Sequence, residues 1–385
     1  MEKLINIDKA PKDTKVVVAM SGGVDSSTVA AMLHKAGYDV IGVTLQLYDF
    51  GITVGKTGAC CAGQDIYDAK MVAEKFGFPH YILDYESVFK EAVIDDFADS
   101  YLRGETPIPC VRCNQSVKFR DLYKVAKDLG ADALATGHYV QRVDVGGQAQ
   151  MHRAHDKGKD QSYFLFATTQ EQLDFLHFPL GGLTKERTRE IAREIGIAIH
   201  DKPDSQDICF VPDGDYAAIV KKLRPDAEKK GEIFHVDGFK MGEHEGIINF
   251  TIGQRKGLGI GGLDEPLYVV RLEPETARVF VGPESALEKS SFSIKEINWL
   301  AGEVNAVVEV QIKVRSSMQP VPARVEFNAD GAKITLPAAY RAITPGQACV
   351  MYDGERMLGG GWIALDAYAA QQTAIPAFRG NPVRP

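Results

Sequence analysis

The chain has 385 residues, a formal charge of -8, and 45% hydrophobic against 25% charged side chains. That length implies two or three domains, and that balance excludes a disordered chain, a collagen-like fibre and a coiled-coil rod. Net acidity disfavours nucleic acid as a partner without excluding it, because phosphate binding needs a local basic face and not a basic total.

Residues 15–20 (KVVVAM) read as a buried strand. Residues 26–36 carry Val29, Ala30, Leu33 and Ala36 at helical spacing, and Gly37 stops the helix. A strand is expected over 39–47, a helix over 65–76 ended by Gly77, and a third strand over 79–83. Helices follow over 87–102 and 116–129, then a fourth strand over 132–136 (DALAT). This alternation predicts an α/β fold with a parallel sheet, whose ligands bind beyond the carboxyl ends of the strands. More helix is expected over 185–195 and 216–223. From 231 to 281 glycines are frequent and strands short, which predicts a small β-rich module. Further on, Val308, Val310, Ile312 and Val314 share one face while Glu309, Gln311 and Lys313 share the other, and 323–327 repeats the pattern. That is a half-buried antiparallel sheet, expected to form a small barrel. The divisions fall at 1–213, 214–285 and 286–385, with a mobile tail after Ala370. No apolar run reaches the roughly 18 residues of a membrane span, and the first twenty residues show no leader pattern. No membrane association is expected, and a cytoplasmic location is.

The strongest motif is Ser21-Gly22-Gly23-Val24-Asp25-Ser26-Ser27, after a strand and opening a helix. Its glycines let the backbone turn tightly and approach an anion, Ser21, Ser26 and Ser27 add hydroxyl donors, and the helix N-terminus adds orphan N–H groups. Phosphate or pyrophosphate is the expected ligand; a purely structural turn is the plain alternative. No dinucleotide or Walker glycine pattern is present. The stretch resembles the loop of the N-type ATP pyrophosphatases. That resemblance implies that Ala19, Met20, Ser21, Gly22, Gly23, Val24, Asp25 and Ser26 grip ATP and that a substrate is adenylated. Asp25 would also help hold Mg²⁺.

Six cysteines are too few for a disulfide scaffold in so long a chain. Cys110 and Cys113 form a C-x-x-C, and Cys209 lies in a loop almost a hundred residues on. Such a set could be a catalytic pair or a metal site. Cys113 is expected at a helix start near Arg112 and Lys118, where a thiolate is favoured. Cys60, Cys61 and Cys349 read as small buried side chains.

With AMSGGVDSS (19–27), TPIPCVRCN (106–114), ATGHY (135–139), KDQSYFL (159–165), DSQDICF (204–210), TIGQRKGLGIGG (251–262) and TPGQ (344–347), the chain resembles the tRNA-specific 2-thiouridylase family over nearly its whole length. The resemblance implies a pyrophosphatase domain, a central β-rich module and a C-terminal β-barrel. It implies adenylation of the C2 oxygen of the wobble uridine by ATP, then sulfur transfer from a protein persulfide. Cys209 would carry the persulfide. Cys113 would attack it, release sulfide and close a disulfide. Leu45 would pack on adenine and Gly137 would approach the nucleotide. Ile108, Pro109, Cys110, His138, Lys159, Asp160, Gln161, Arg315, Ser316 and Gln347 would meet tRNA. The partners implied are tRNA and a sulfur donor, either a cysteine desulfurase or a relay protein.

The chain departs from the family at Ile108-Pro109-Cys110, where many members have Asn-Pro-Asp. The carboxylate proposed there as an acid/base group is missing. The extra thiol could join Cys113 and Cys209 as ligands of an iron–sulfur cluster. For the tRNA backbone, Lys157, Lys159, Lys185, Arg187, Arg189 and Arg193 are expected to form one basic face.

Overall fold

Alternate residues of the Val-rich strand β1 (Lys15–Ala19) face opposite cores. Val16 and Val18 pack with Val29, Ala30 and Leu33 of the helix Val24–Lys35, while Val17 packs with Phe119, Leu122 and Ala126. A strand buried on both faces explains the continuous apolar run. The computed structural model describes residues 4–48, 61–204, 208–211, 214–260, 265–341 and 343–365. The loop before helix Cys61–Phe76 and the tail after 370 lie outside the described residues, as do the side chains of Cys60 and Cys61.

β1 is the centre of a five-stranded parallel sheet with β2 (Asp39–Gln46), β3 (His80–Asp84), β4 (Ala133–Ala135) and β7 (Leu176–His177), in the order β3-β2-β1-β4-β7. The four expected strands are present; the two-residue β7 is too short to read from a pattern. The helix expected over 87–102 is three segments, Glu86–Phe89, a π-type turn Lys90–Asp95, and Asp96–Leu102. The one expected over 116–129 is a π-type turn Asn114–Lys118 followed by Asp121–Asp128.

β8 (Gly231–His235), β9 (Lys240–His244), β10 (Tyr268–Glu273) and β11 (Arg278–Gly282) form the small central sheet, ordered β10-β11-β8-β9 around Ile233, Val269, Val279 and Val281. Six strands follow: β12 (Lys289–Trp299), β13 (Val307–Lys313), β14 (Val321–Asn328), β15 (Gly331–Tyr340), β16 (Ala348–Asp353) and β17 (Arg356–Ile363). Pairing of β12 with β17 closes them into an antiparallel barrel, and closure removes the exposed edges. Val308, Val310, Ile312 and Val314 point into it, as their alternation predicts. A hairpin absent from the sequence reading, β5 (Val140–Val145) and β6 (Gln148–Arg153), leaves the first domain and joins β17 through His152 and Arg356. Among the described residues no helix is long and apolar enough to cross a membrane.

Candidate active site at the carboxyl edge of the parallel sheet

The loop after β1 is held from the side by β2. Met20 N–H donates to the Val43 carbonyl at 2.8 Å, and Thr44 Oγ1 donates to the Met20 carbonyl at 2.8 Å. Gly22 is left-handed (φ 74°), and a Cβ there would lie 2.0 Å from the Asp65 carbonyl oxygen, so only glycine fits. Ser21 N–H donates to Ser26 Oγ at 3.1 Å, curling the loop onto the first helical turn. Gly23 is the N-cap and no side chain caps the helix, which suits its first N–H groups to an anion. Val24 is buried beneath the loop. Gly137, after β4, abuts this turn: a Cβ there would meet Ser26 N at 2.8 Å and the Asp25 carbonyl carbon at 3.0 Å. Leu45 packs between two cores at the end of β2, near Tyr48. Ser27 departs from expectation. Its Oγ is fully buried without a hydrogen-bond partner, because the second turn of the helix faces the core.

The sheet's carboxyl edge is charged. Lys185, only 6% exposed, donates to both Asp25 oxygens at 2.8 Å and sits 2.7 Å from Asp204 Oδ1. Tyr139 Oη donates to Asp25 Oδ1 at 2.9 Å and stands 3.0 Å from Thr188 Oγ1. Asp204 also meets Lys159 Nζ at 2.8 Å and Arg189 at 3.0 Å. Burial raises the Asp204 carboxyl, but hydrogen bonds and charge from Lys159 and Lys185 outweigh it and hold it at about 2. Lys185 on both oxygens holds Asp25 in an ion pair.

Three thiols converge near the end of β2. Pro109 starts the short helix Pro109–Cys113. Cys113 is the last residue of that helix, which runs straight on into the π-type turn Asn114–Lys118, so it lies within a helical run and not at the expected helix start. It is buried, and burial raises its thiol, with Lys118 opposing and Cys110 adding. Arg112 turns away to Glu296 (3.2 Å), Asp96 (3.5 Å) and the Trp362 ring (4.4 Å), so of the two expected cations only Lys118 acts on the thiol. Cys209 is exposed as a residue, yet protein atoms crowd its sulfur. Burial, then Cys113 and Cys110, push its thiol up to about 12 against the pull of Lys118 and a hydrogen bond from Tyr48. Cys110, Cys113, Cys209 and Cys349 are all free, and Cys349 is wholly buried in the barrel core. Among the described residues no three His, Cys, Asp or Glu side chains stand together as metal ligands. The donor set expected for an iron–sulfur cluster is not assembled.

Other expected residues divide. Ile108 and Pro109 are buried beside exposed Cys110. His138 bonds Thr136 Oγ1 at 2.9 Å and meets the Phe119 ring edge-on; burial and then Lys118 hold its imidazole down at about 3, hence neutral. Gln161 accepts from Tyr139 N–H at 2.8 Å. Asp160 is interior: its carboxylate takes Ala154 N–H (3.1 Å), Ser162 N–H (3.2 Å) and Ser162 Oγ–H (2.9 Å), with Lys313 at 3.8 Å. It braces the first domain against the barrel and is not offered to RNA. Gln347 donates to the Thr106 carbonyl at 2.9 Å, clipping the barrel to the loop that leads to Cys110. Arg315 and Ser316 are exposed.

The expected basic face is neutralised within the protein. Lys157 pairs with Glu355, Arg187 with Glu190 and Glu194, and Arg193 with Asp201, while Lys159, Lys185 and Arg189 share Asp204. Exposed cations lie elsewhere. Arg255 and Lys256 of the central module are exposed and form no ion pair among the described residues, and Arg315 reaches to within 4.0 Å of where a Gly253 Cβ would stand. Sequence reasoning passed over Lys185 as a site residue, along with Lys202 and Tyr139. The signals were that Lys185 opens a predicted helix within a basic stretch and that Tyr139 ends the ATGHY motif.

A glycine-rich turn that opens a helix on a parallel sheet, with three thiols at the same edge and two β-modules after it, is the arrangement of a nucleotide-binding α/β protein. The chain matches the tRNA methyl transferase HUP domain over residues 14–213, the tRNA methyl transferase PRC-barrel domain over 219–283 and the aminomethyltransferase beta-barrel domain over 289–363. It is 61% identical over 363 residues to the tRNA-specific 2-thiouridylase MnmA of Rickettsia massiliae (strain Mtu5), covering 94% of this chain and 99% of that protein. With the protein of the same name from Rhodospirillum centenum (strain ATCC 51521 / SW) it shares 59% over 387 residues, covering 98% and 99%. The chain belongs to the tRNA-specific 2-thiouridylase family.

Proposed function

We propose that the chain catalyses ATP-dependent 2-thiolation of the wobble uridine of tRNA. The observation that carries this reading is the convergence on one sheet edge of the Ser21–Ser26 cradle and the Cys110, Cys113 and Cys209 thiols. Triphosphate would sit on the loop N–H groups and the start of helix Val24–Lys35, with adenine near Leu45. ATP would convert the C2 oxygen of uracil, a poor leaving group, into a phosphate ester, releasing pyrophosphate. Cys209 would carry a persulfide loaded by a cysteine desulfurase or a relay protein. The Cys113 thiolate would attack the inner sulfur of that persulfide, forming the Cys113–Cys209 disulfide and expelling hydrosulfide. Hydrosulfide would add at C2 and AMP would leave. Thiols in the medium would reduce the disulfide before the next turnover. Cys113 packs in one apolar cluster with Phe210 and Val211, the two residues after Cys209, which favours the approach of about 6 Å between Cα atoms that a disulfide needs. No step is assigned to a Mg²⁺ ion on Asp25 or to an iron–sulfur cluster. Lys159, Gln161, His138, Arg315 and Ser316, with Arg255 and Lys256, would supply RNA contacts, and the base would have to be drawn out of its stacked loop.

Single turnover tests this. Wild type, Cys113→Ser and Cys209→Ser, each after the same persulfide-loading treatment, are mixed with ATP and unmodified tRNA, and pyrophosphate and thiouridine are followed together. Pyrophosphate in all three, with thiouridine in wild type alone, is expected. Thiouridine formed by either variant overturns the cysteine roles, and no pyrophosphate in any overturns adenylation.

A further inference from the structure

A Cys113–Cys209 disulfide has to be opened before another turnover, and both of its sulfurs are shielded. Cys113 is 7% exposed and packs with Val117, Phe210 and Val211. Cys209 is exposed as a residue, yet protein atoms crowd its sulfur. Exchange needs a thiolate to reach the sulfur it attacks, so a bulky reductant opens such a bond slowly.

Cys110 is placed differently. It is exposed, and it precedes Cys113 by three residues on the helix Pro109–Cys113. At about 100° per residue the two side chains stand about 60° apart around the helix axis. Their Cα atoms are then about 5 Å apart, within the range of about 4.4–6.8 Å that a disulfide spans. Asn114 N–H is shared between the Cys110 and Val111 carbonyls, and the bond to Val111 tightens the turn so that residues three apart come nearer one line.

The barrel fixes which way this face looks. Thr106 N–H donates to the Pro345 carbonyl at 2.8 Å, and Gln347 donates back to the Thr106 carbonyl at 2.9 Å. Arg112, about 160° around the helix from Cys110, is held by Glu296 (3.2 Å) and lies over the Trp362 ring (4.4 Å). Arg112 takes the barrel side and leaves the two thiols away from it. Both of them bear on Cys209, and Lys118 bears on Cys113 and Cys209.

We propose that Cys110 is an internal resolving thiol that takes over the disulfide from Cys209 and presents it to a dithiol protein. The inference rests on the persulfide reading of Cys113 and Cys209. The Cys110 thiol gives its proton to water, and its thiolate attacks the Cys113 sulfur. The Cys110–Cys113 bond forms, the Cys113–Cys209 bond breaks, and Cys209 leaves as a thiolate that Lys118 stabilises and water protonates. That exchange neither gains nor loses electrons. The disulfide now ends at exposed Cys110, where a dithiol protein reduces it to two thiols and is itself oxidised to a disulfide.

Full-length wild type, Cys110→Ser and Cys209→Ser are oxidised with diamide, freed of it and quenched in acid, and their linked peptides are mapped. Wild type is expected to show both Cys113–Cys209 and Cys110–Cys113, Cys209→Ser the Cys110–Cys113 linkage, and Cys110→Ser the Cys113–Cys209 linkage alone. Reopening is then followed with thioredoxin, its reductase and NADPH. Cys110→Ser is expected to reopen at least about tenfold more slowly than wild type, and a small phosphine, less limited by access, to narrow the difference to less than about threefold. Cys110→Ala is carried beside Cys110→Ser and is expected to behave alike, which keeps the test decisive if one variant is unstable. Reopening of Cys110→Ser by thioredoxin at the wild-type rate, or no Cys110–Cys113 linkage in Cys209→Ser, overturns the relay and leaves the Cys113–Cys209 reading standing. No Cys113–Cys209 linkage in Cys110→Ser overturns that reading itself.

Discussion

Without substrates, the Cys209 thiol is expected to resist alkylation. It is pushed up to about 12 by burial and then by its two neighbouring thiols. At pH 8 such a thiol is ionised in about one molecule in ten thousand, against about one in four for an ordinary cysteine near 8.5. The scarcer thiolate is the better nucleophile, and a Brønsted coefficient of about 0.45 returns about 40-fold of that loss. The net expectation is a rate about 60-fold below that of an unhindered cysteine. The assay is the pseudo-first-order rate of iodoacetamide labelling, read on the Cys209 peptide from pH 7 to pH 10.5. The logarithm of the rate should climb with unit slope across the whole range, because the thiolate fraction keeps rising below the pKa. Lys118→Met should slow labelling further, since Lys118 is the cation that draws the thiol down. A plateau beginning below about pH 9.5 would mean an ordinary thiol, and the reasoning from burial would be wrong. In this arrangement the Cys209 thiol is kept protonated until another molecule or a movement of the chain changes its surroundings.

Gly137→Ala would drive a methyl into Ser26 N and the Asp25 carbonyl carbon, so pyrophosphate release should fall by about 100-fold, the effect of displacing a site by about 1 Å, with an unchanged circular dichroism spectrum. An activity within a factor of two of wild type would show that the close approach is dispensable. Arg255→Ala and Lys256→Ala should each reduce the slope of log affinity for tRNA against log salt by about one if the exposed central module tracks phosphate; an unchanged slope places the RNA elsewhere. Cys349→Ser puts a hydroxyl in the barrel core and should cost about 1–3 kcal/mol in urea unfolding, while thiouridine formed per folded molecule stays at the wild-type level. Loss of thiolation in stable Cys349→Ser protein would bring that thiol into the sulfur path.

The strand–helix rhythm of the first domain was legible because each element is specified by neighbours a few residues away. KVVVA must be buried on both faces, Val29, Ala30 and Leu33 recur at helical spacing, and Gly37 and Gly77 take the left-handed turns that end helices (φ 90° and 82°). The barrel strands were legible for the same reason, and so was the tight turn at Gly22, whose conformation follows from residue type. Legibility failed where the pattern is short or broken. β7 has two residues, and the π-type turns at Lys90–Asp95 and Asn114–Lys118 interrupt what the spacing reads as continuous helices. It failed again where a side chain's role depends on what stands opposite. Asp160 reads as a surface charge in KDQSYFL but lies inside, bonded to Ser162 and facing Lys313 of the barrel. Lys157, Arg187 and Arg193 read as a basic face, yet each is matched by a carboxylate. Local sequence determined which segments are strands, which are helices and where the loop after β1 turns tightly, since those outcomes rest on backbone geometry and side-chain period. Only the tertiary structure decided that Lys185 would meet Asp25 across 160 positions of chain and share Asp204. Opposite charges pair at short range, and only folding sets which of them are brought within that range.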